Sequence, residues 1–187
     1  MVDATFWFRA AAQPFALLTA ALPTQGSWSP TPTTGSPTTL TRHAAAYDLS
    51  RSRMVLFGGH DASSIALART WEFDGVHFTP VFPLASPPAR VGGAMAYDPY
   101  RQVVVLFGGA PTNAVSGCLD DTWEFDGSTW TRRTAHAAPP ARVDHAMCFD
   151  LVSACCVVFG GRAATTLADT WTFDGATWPL RSTTRPN

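Results

Sequence analysis

The stretch DDTWEFDGSTW, residues 120–130, has a near copy on each side of it in the chain. One copy is RTWEFDGVHF, which ends at Phe78, and the other is DTWTFDGATW, which ends at Trp178. A catalytic motif normally occurs once in a chain, whereas a string that recurs at a regular interval is a structural unit of a repeat. The sequence therefore predicts a repeat protein.

A second shared string precedes each copy. The strings MVLFGG, VVLFGG and VVFGG end at Gly59, Gly109 and Gly161, so the second and third follow their predecessors by 50 and 52 residues. Eleven residues before the first glycine of each pair lies an aromatic residue followed by aspartate. A period of about 50 residues with paired glycines is typical of the blades of a β-propeller.

Each repeat contains the signals of two hairpins. In the second repeat, TWEFD and STWTRR flank Asp126-Gly127, a dipeptide that supplies the positive φ of a tight hairpin turn. The apolar runs VVVLF and CCVVF suit strands that are covered on both faces. We therefore expect an all-β protein with twelve main strands in three four-stranded antiparallel sheets. Trp123, which recurs as Trp71 and Trp171, is expected to be a buried contact between sheets.

The double glycine after an apolar strand, the downstream tryptophan and the closing aromatic resemble the kelch repeat, over roughly residues 28–178. The resemblance implies a kelch-type β-propeller with one repeat per blade, here at about residues 41–82, 90–134 and 142–182. The first repeat departs from the others at Leu40, where the second and third have Arg90 and Arg142. His43 and His145 share one register position, which favours a structural role for both.

Residues 1–40 are expected to form an irregular segment with one orphan outer strand. Trp28 lies as far before Leu40 as Phe78 lies before Arg90, yet the other signals of a blade are missing upstream of Trp28. Three blades do not close a ring, because propellers have about four to eight. Three alternatives stay open: part of a longer propeller, a truncated gene product, or self-association that completes the ring. In the last case Met54 to Phe57 of one copy would contact Val157 to Phe159 of another.

Composition excludes several function classes. The net charge is -1 and the pI is about 6.5, so no general attraction to nucleic acid is expected. All thirteen basic residues are arginine, which excludes lysine-dependent chemistry. No apolar run is long enough to span a membrane. Arg9 before an apolar stretch is a weak signal-peptide feature, so the compartment stays undetermined. The four cysteines are expected to be small buried thiols.

The candidate ligand-binding residues lie in two sets of loops. Loops that vary between repeats commonly form the binding face of a repeat protein, and here they carry His60, Asn113 and Arg162. The proline-rich connections between blades bring Arg42, Gly92 and Asp144 to one register position near the channel mouth. The resemblance to kelch propellers, which bind partners with these loops, implies a ligand face that also holds Arg90 and Arg142. Arginines there would form forked hydrogen bonds with carboxylates. Asp120 and Asp121 are expected to be solvated loop residues.

The leading hypothesis is a non-enzymatic interaction module that binds a protein or a glycan, with no catalytic residue, metal or cofactor. The alternative is a fragment of a propeller enzyme of the copper-radical sugar-oxidase kind. That site needs tyrosine, histidine and cysteine ligands on the axis, whereas two of the three tyrosines here, Tyr47 and Tyr97, occupy repeat positions. A truncated product without independent function is the third hypothesis.

Overall fold

The computed structural model describes residues 32–37, 39–135 and 137–183, and this part of the chain contains strands, turns and loops but no helix. Its twelve strands form three antiparallel sheets in the orders β1-β2-β3-β4, β5-β6-β7-β8 and β9-β10-β11-β12, which we call blades 1, 2 and 3. The strands are β1 (Ala44–Asp48), β2 (Arg53–Phe57), β3 (Thr70–Phe73), β4 (Phe78–Val81), β5 (Ala94–Asp98), β6 (Val103–Phe107), β7 (Thr122–Phe125), β8 (Trp130–Arg133), β9 (Ala146–Asp150), β10 (Cys155–Phe159), β11 (Thr170–Phe173) and β12 (Leu180–Ser182). The predicted all-β architecture of three four-stranded blades is confirmed. The orphan strand expected at Trp28 lies outside the described residues.

The first strands of the three blades pack against one another, β1 on β5 and β5 on β9. Because successive strands are antiparallel, all loops between paired glycines and tryptophans lie at one end of the sheets, together with the connections between blades. We call this the loop end. The tight hairpin turns lie at the other end, the turn end. The blades thus place every variable segment on one side.

Aspartate side chains make the tight turns. Asp74 Oδ1 accepts hydrogen bonds from the backbone amides of Val76 and His77, at 2.9 and 2.7 Å. Gly75 between them has a φ of 102°, which a residue with a side chain rarely adopts. The Asp-Gly dipeptide is therefore a structural feature of each outer hairpin, as predicted from its spacing.

One tryptophan joins each blade to the blade before it. The Trp130 ring of blade 2 packs against Phe57 of blade 1, with ring centroids 5.1 Å apart, and stacks on its own Phe125 at 5.0 Å. Its Nε1 donates to Thr70 Oγ1 of blade 1 at 2.9 Å. Blade 3 repeats the contact, since Trp178 Nε1 donates to Thr122 Oγ1 at 3.0 Å. Each joint buries a large aromatic ring and satisfies its one polar group.

Trp123 is less buried than the sequence predicts. It is half-buried at the edge of the core between blades 1 and 2, whereas Trp130 is only 2% exposed. Like Ala46 and Val81, Trp123 packs against this core from its margin and is not one of the core's buried members. Of the residues expected to face another copy, Val55 and Phe57 instead belong to this core.

An arginine at the turn end strengthens each joint. The Arg51 guanidinium is held by Asp48, with Nε 2.8 Å from Oδ2, and by Glu72. It lies 5.4 Å from the centroid of the Phe125 ring in blade 2. Gly127 passes so close that a Cβ there would lie 2.6 Å from Arg51 Cζ. Blade 2 repeats this contact with Arg101 over Phe173, at 5.4 Å.

His145 is a buried histidine between blades 2 and 3. It is 7% exposed, and its ring centroid lies 5.5 Å from that of Phe107. Neither ring nitrogen has a hydrogen-bond partner in the described part of the chain. Burial, helped by the positive charge of Arg142 and opposed by Asp144, lowers the pKa of His145 to about 4. The imidazole is therefore neutral in the folded protein, and the expected structural role fits this position.

Replacing the joint tryptophan tests its contribution. We expect Trp130→Ala to lower the free energy of unfolding by about 3–5 kcal/mol, the usual cost of deleting a buried large aromatic ring. Trp130→Phe keeps a ring but loses the hydrogen bond to Thr70, so its cost should be about 1 kcal/mol beyond the packing change. Trp123→Ala should cost less than Trp130→Ala. Chemical denaturation measures the free energy of unfolding of all three variants. An equal decrease for the two alanine variants would contradict the special role of Trp130 in joining the blades.

His145 predicts a dependence of stability on pH. In the unfolded chain the pKa of His145 is about 6.5, whereas in the folded protein it is about 4. Between these two pH values the unfolded state therefore binds a proton that the folded state does not bind. Stability should therefore decrease as pH falls from 6.5 to 4, by at most about 3 kcal/mol. Denaturation midpoints at both pH values measure this, with His145→Leu as the control. Equal losses in the two proteins would contradict the assignment.

Candidate functional site

Three residues with left-handed backbone link the blades at the loop end. Arg42, Gly92 and Asp144 precede β1, β5 and β9 and have φ angles of 55°, 63° and 56°. The Gly92 amide donates to the Arg42 carbonyl at 2.9 Å, and the Asp144 amide donates to the Gly92 carbonyl at 2.8 Å. This chain of backbone hydrogen bonds, the mouth ladder, holds the equivalent residues of successive blades side by side.

Four polar side chains meet on the mouth ladder, and we call them the mouth cluster: Arg42, Asn113, Asp144 and Arg162. Arg42 donates from Nη1 to Asn113 Oδ1 at 2.9 Å and from Nη2 to Asp144 Oδ1 at 2.7 Å. Arg162 Nε donates to Asp144 Oδ2 at 2.9 Å. The cluster therefore draws on all three blades, with Asp144 from the connection before blade 3 and Arg162 from the loop within it. All four were predicted as site residues, and the structure brings them together.

Gly92 makes room for the cluster. A Cβ at this position would lie 2.6 Å from Asp144 Oδ1 and 2.8 Å from Arg42 Nη2. A side chain there would therefore separate the two charged groups. The glycine of blade 2 allows the arginine of blade 1 to reach the aspartate of blade 3 across it.

The mouth cluster carries excess positive charge at an open surface. Burial alone would raise the pKa of Asp144, but the hydrogen bonds from Arg42 and Arg162 outweigh burial and hold that pKa below its usual range. Asp144 is thus an anion between two cations. The Arg42 side chain is 27% exposed and that of Arg162 is 52% exposed, so both guanidinium groups have surface for a ligand. The remaining charge favours an anionic group.

His60 lies near the same end but outside the cluster. Its Nε2 is 2.9 Å from Thr41 Oγ1, and its Nδ1 is 3.0 Å from the Asp61 carbonyl oxygen. His60 occupies the register position that Arg162 has in blade 3, since each pairs with the residue before the ladder. It is partly exposed and remains a predicted contact at the rim.

Arg90 and Arg142 do not lie on the ligand face. Arg90 is 1% exposed, and its two Nη atoms donate to the Asp121 carboxylate at 2.7 and 2.8 Å. Its other donors bond the carbonyls of Gly108 and Pro88. Arg142 is 0% exposed and forms the same fork with Asp169. Buried guanidinium groups with paired donors cannot take a ligand, so their expected role in binding does not fit the structure.

Asp121 was interpreted as a solvated loop residue, and this interpretation is wrong. Its side chain is 8% exposed, and besides Arg90 it accepts a hydrogen bond from Trp123 Nε1 at 2.7 Å. Asp169 and Trp171 repeat the bond in blade 3 at 2.7 Å. An aspartate two residues before the tryptophan, together with an arginine before the first strand, is the sequence signal that could have revealed this pair.

The described residues contain no cluster of side chains that could hold a metal ion. No three histidine, cysteine, aspartate or glutamate side chains lie close enough to share a metal ion in the ranges 32–37, 39–135 and 137–183. Burial raises the pKa of the Cys118 thiol, which lies within electrostatic reach of Arg162, so this thiol is not activated. A search of the same ranges finds no helix long and apolar enough to cross a membrane.

Breaking the buried pair should be costly. We expect Asp121→Ala to lower the free energy of unfolding by about 3–5 kcal/mol, because it leaves the Arg90 guanidinium buried without a partner. The double variant Arg90→Met/Asp121→Leu removes both charges and should lose less than the single variant. Equilibrium denaturation measures both. A double variant that loses as much as Asp121→Ala would contradict the burial argument.

Comparison with known proteins supports the same architecture. The model of the KLHDC2/KLHL20/DRC7 Kelch-repeats domain matches residues 15–182, which is most of the chain. No curated protein matches it. The three blades, their paired glycines and their joint tryptophans agree with this match. This chain belongs to the kelch-repeat family.

Proposed function

We propose that this chain is a non-enzymatic module that binds a partner protein through the mouth cluster. Kelch-repeat domains are typically protein-interaction modules, and the match covers residues 15–182. The observation that carries the proposal is the meeting of Arg42, Asn113, Asp144 and Arg162 from three blades at one exposed point. A partner that touches this point contacts all three blades together.

The chemistry of the cluster favours a carboxylate on the partner. Arg42 donates to Asn113 and Asp144, and Arg162 donates to Asp144. These hydrogen bonds order both guanidinium groups, whose other N–H donors are available to a ligand. An arginine that is already ordered loses less side-chain entropy on binding. A carboxylate would accept charge-assisted hydrogen bonds from these donors. A neutral glycan has no carboxylate, so we propose a protein rather than a glycan.

Self-association is not part of the proposal. A head-to-tail contact between copies would place the outer side of blade 3 against blade 1. Ser153 and Thr172 occupy in blade 3 the positions that Arg101 and Glu124 have in blade 2. Phe78 in blade 1 replaces the joint tryptophan, so its ring has no N–H group for a threonine. Such a contact would lack both polar features of the internal joints.

Peptide selection tests the proposed function. Random peptides displayed on phage are selected on the wild-type protein and then measured on variants by fluorescence polarisation. We expect selected peptides to contain an acidic side chain or a free C-terminal carboxylate. Their affinity should fall by about tenfold for Arg42→Gln and for Arg162→Gln, because each loses a charge-assisted hydrogen bond.

The matched control is Arg53→Gln, which removes an arginine at the turn end that is 40% exposed. This variant should bind the selected peptides as the wild type does. Peptides that bind the double variant Arg42→Gln/Arg162→Gln as tightly as the wild type would place the binding surface elsewhere. A selection that yields no binding peptide would also count against the proposal.

A further inference from the structure

Blade 1 lacks the buried arginine–aspartate pair of the other two blades. Leu40 occupies the position of Arg90, and Arg69 occupies the position of Asp121. The tryptophan is kept as Trp71, but its Nε1 has no acceptor among the described residues, whereas Trp123 and Trp171 each donate to an aspartate at 2.7 Å. The exposed Arg69 guanidinium is likewise without a partner in the described ranges.

The substitutions leave open space where the pair would be. One cleft of about 390 Å³ is lined by Leu40, Leu67, Arg69 and Trp71 together with Ser36, Pro37 and Asp61. A second cleft of about 460 Å³ is lined by residues of β3 and β4 and of the connection after β4. Arg69 and Trp71 line both clefts, so these two residues lie at the junction of the two.

The walls of the second cleft are largely apolar. Pro80, Val81, Phe82 and Pro83 line it, and Phe82 is 87% exposed. Leu84, two residues further along the connection, is fully exposed. The equivalent cleft of blade 2 has Arg132, Arg133 and Thr134 at the corresponding positions. Blade 1 therefore combines unpaired donors with an exposed apolar wall, and blade 2 does not.

We propose that this junction in blade 1 is a second binding site, which takes a peptide segment with a carboxylate next to an aromatic or aliphatic side chain. The carboxylate replaces the missing aspartate and accepts hydrogen bonds from Trp71 Nε1 and the Arg69 guanidinium. The neighbouring apolar side chain packs on Phe82, Pro80 and Pro83. The site lies at the outer strands of blade 1 and is separate from the mouth cluster.

The other blades show why a carboxylate fits. In blade 2 the same tryptophan position and one arginine share a single carboxylate, and both of its oxygens are used. Blade 1 has the tryptophan donor as Trp71, and its arginine, Arg69, stands at the position of the aspartate. A carboxylate of a bound peptide would therefore accept hydrogen bonds from a tryptophan and an arginine, as Asp121 does in blade 2. Asp61 is the acidic group on the wall of the first cleft, and its Oδ1 already accepts from the amides of Ser63 and Ile65.

The indole N–H resonances of the full chain test the site directly. The capped dipeptide acetyl-Phe-Asp-amide is titrated into ¹⁵N-labelled protein, and acetyl-Phe-Asn-amide is the neutral control of the same shape. We expect the Trp71 indole resonance, assigned through Trp71→Phe, to move with the Asp peptide and not with the Asn peptide. The Trp123 and Trp171 indole resonances are internal references and should stay in place, because their N–H groups are already bonded.

Variants separate the site from unspecific contact. Arg69→Gln should lower the affinity for the Asp peptide by about tenfold, which is the effect of losing one charge-assisted hydrogen bond. Arg132→Gln, at the equivalent cleft of blade 2, should leave the affinity unchanged. Leu40→Arg/Arg69→Asp rebuilds the internal pair, so it should abolish peptide binding. The proposal is overturned if the Trp71 resonance does not move, if both peptides move it equally, or if Arg69→Gln binds as the wild type does.

Discussion

The packing of one tryptophan across each blade boundary is the contact on which the rest of this propeller depends. Trp130 and Trp178 must each reach the preceding sheet with the aromatic ring and the indole N–H at once, and that requirement explains their surroundings. The Asp-Gly turn places the tryptophan at the start of the outer strand, and the glycine leaves room for the arginine of the preceding blade. The threonine that accepts the N–H stands at the start of the third strand. The residues of the recurring TWEFDGSTW string thus all contribute to the contact between neighbouring blades.

A second buried contact sets the loop end. The forks between Arg90 and Asp121 and between Arg142 and Asp169 tie the connection before a blade to the variable loop within it. Buried ion pairs contribute little net stability, but they are costly to break and they permit few alternative arrangements. The loops of blades 2 and 3 are therefore held in place, and Asn113 and Arg162 reach the mouth cluster from anchored loops. Blade 1 has no such fork, so the donors of Arg69 and Trp71 have no aspartate to bind.

The features readable from the sequence are those made within a few residues of chain. The strands, the Asp-Gly turns and the register of the blades follow from apolar runs and turn residues, and the common position of Arg42, Gly92 and Asp144 follows from the register. The burial of Arg90 has a weaker signal, because its partner Asp121 lies across a loop whose length differs between blades, and only the recurrence of an aspartate two residues before the tryptophan points to the pair. The contact of Arg42 with Asn113 joins two blades, and so does the packing of Trp123 against the core between blades 1 and 2. Both are properties of packing between blades, which local patterns do not report.

The mouth ladder has a consequence for how such a protein changes its partner over evolution. Its hydrogen bonds use only backbone atoms, and its three members are an arginine, a glycine and an aspartate, with nearly equal φ angles. The side chains at the mouth can therefore be exchanged while the links between blades persist, provided that each new residue tolerates a left-handed backbone, which asparagine, aspartate and glycine do most easily. In these residues the side chains contact a partner, whereas the backbone atoms hold the blades together. Selection can revise the first without having to re-establish the second.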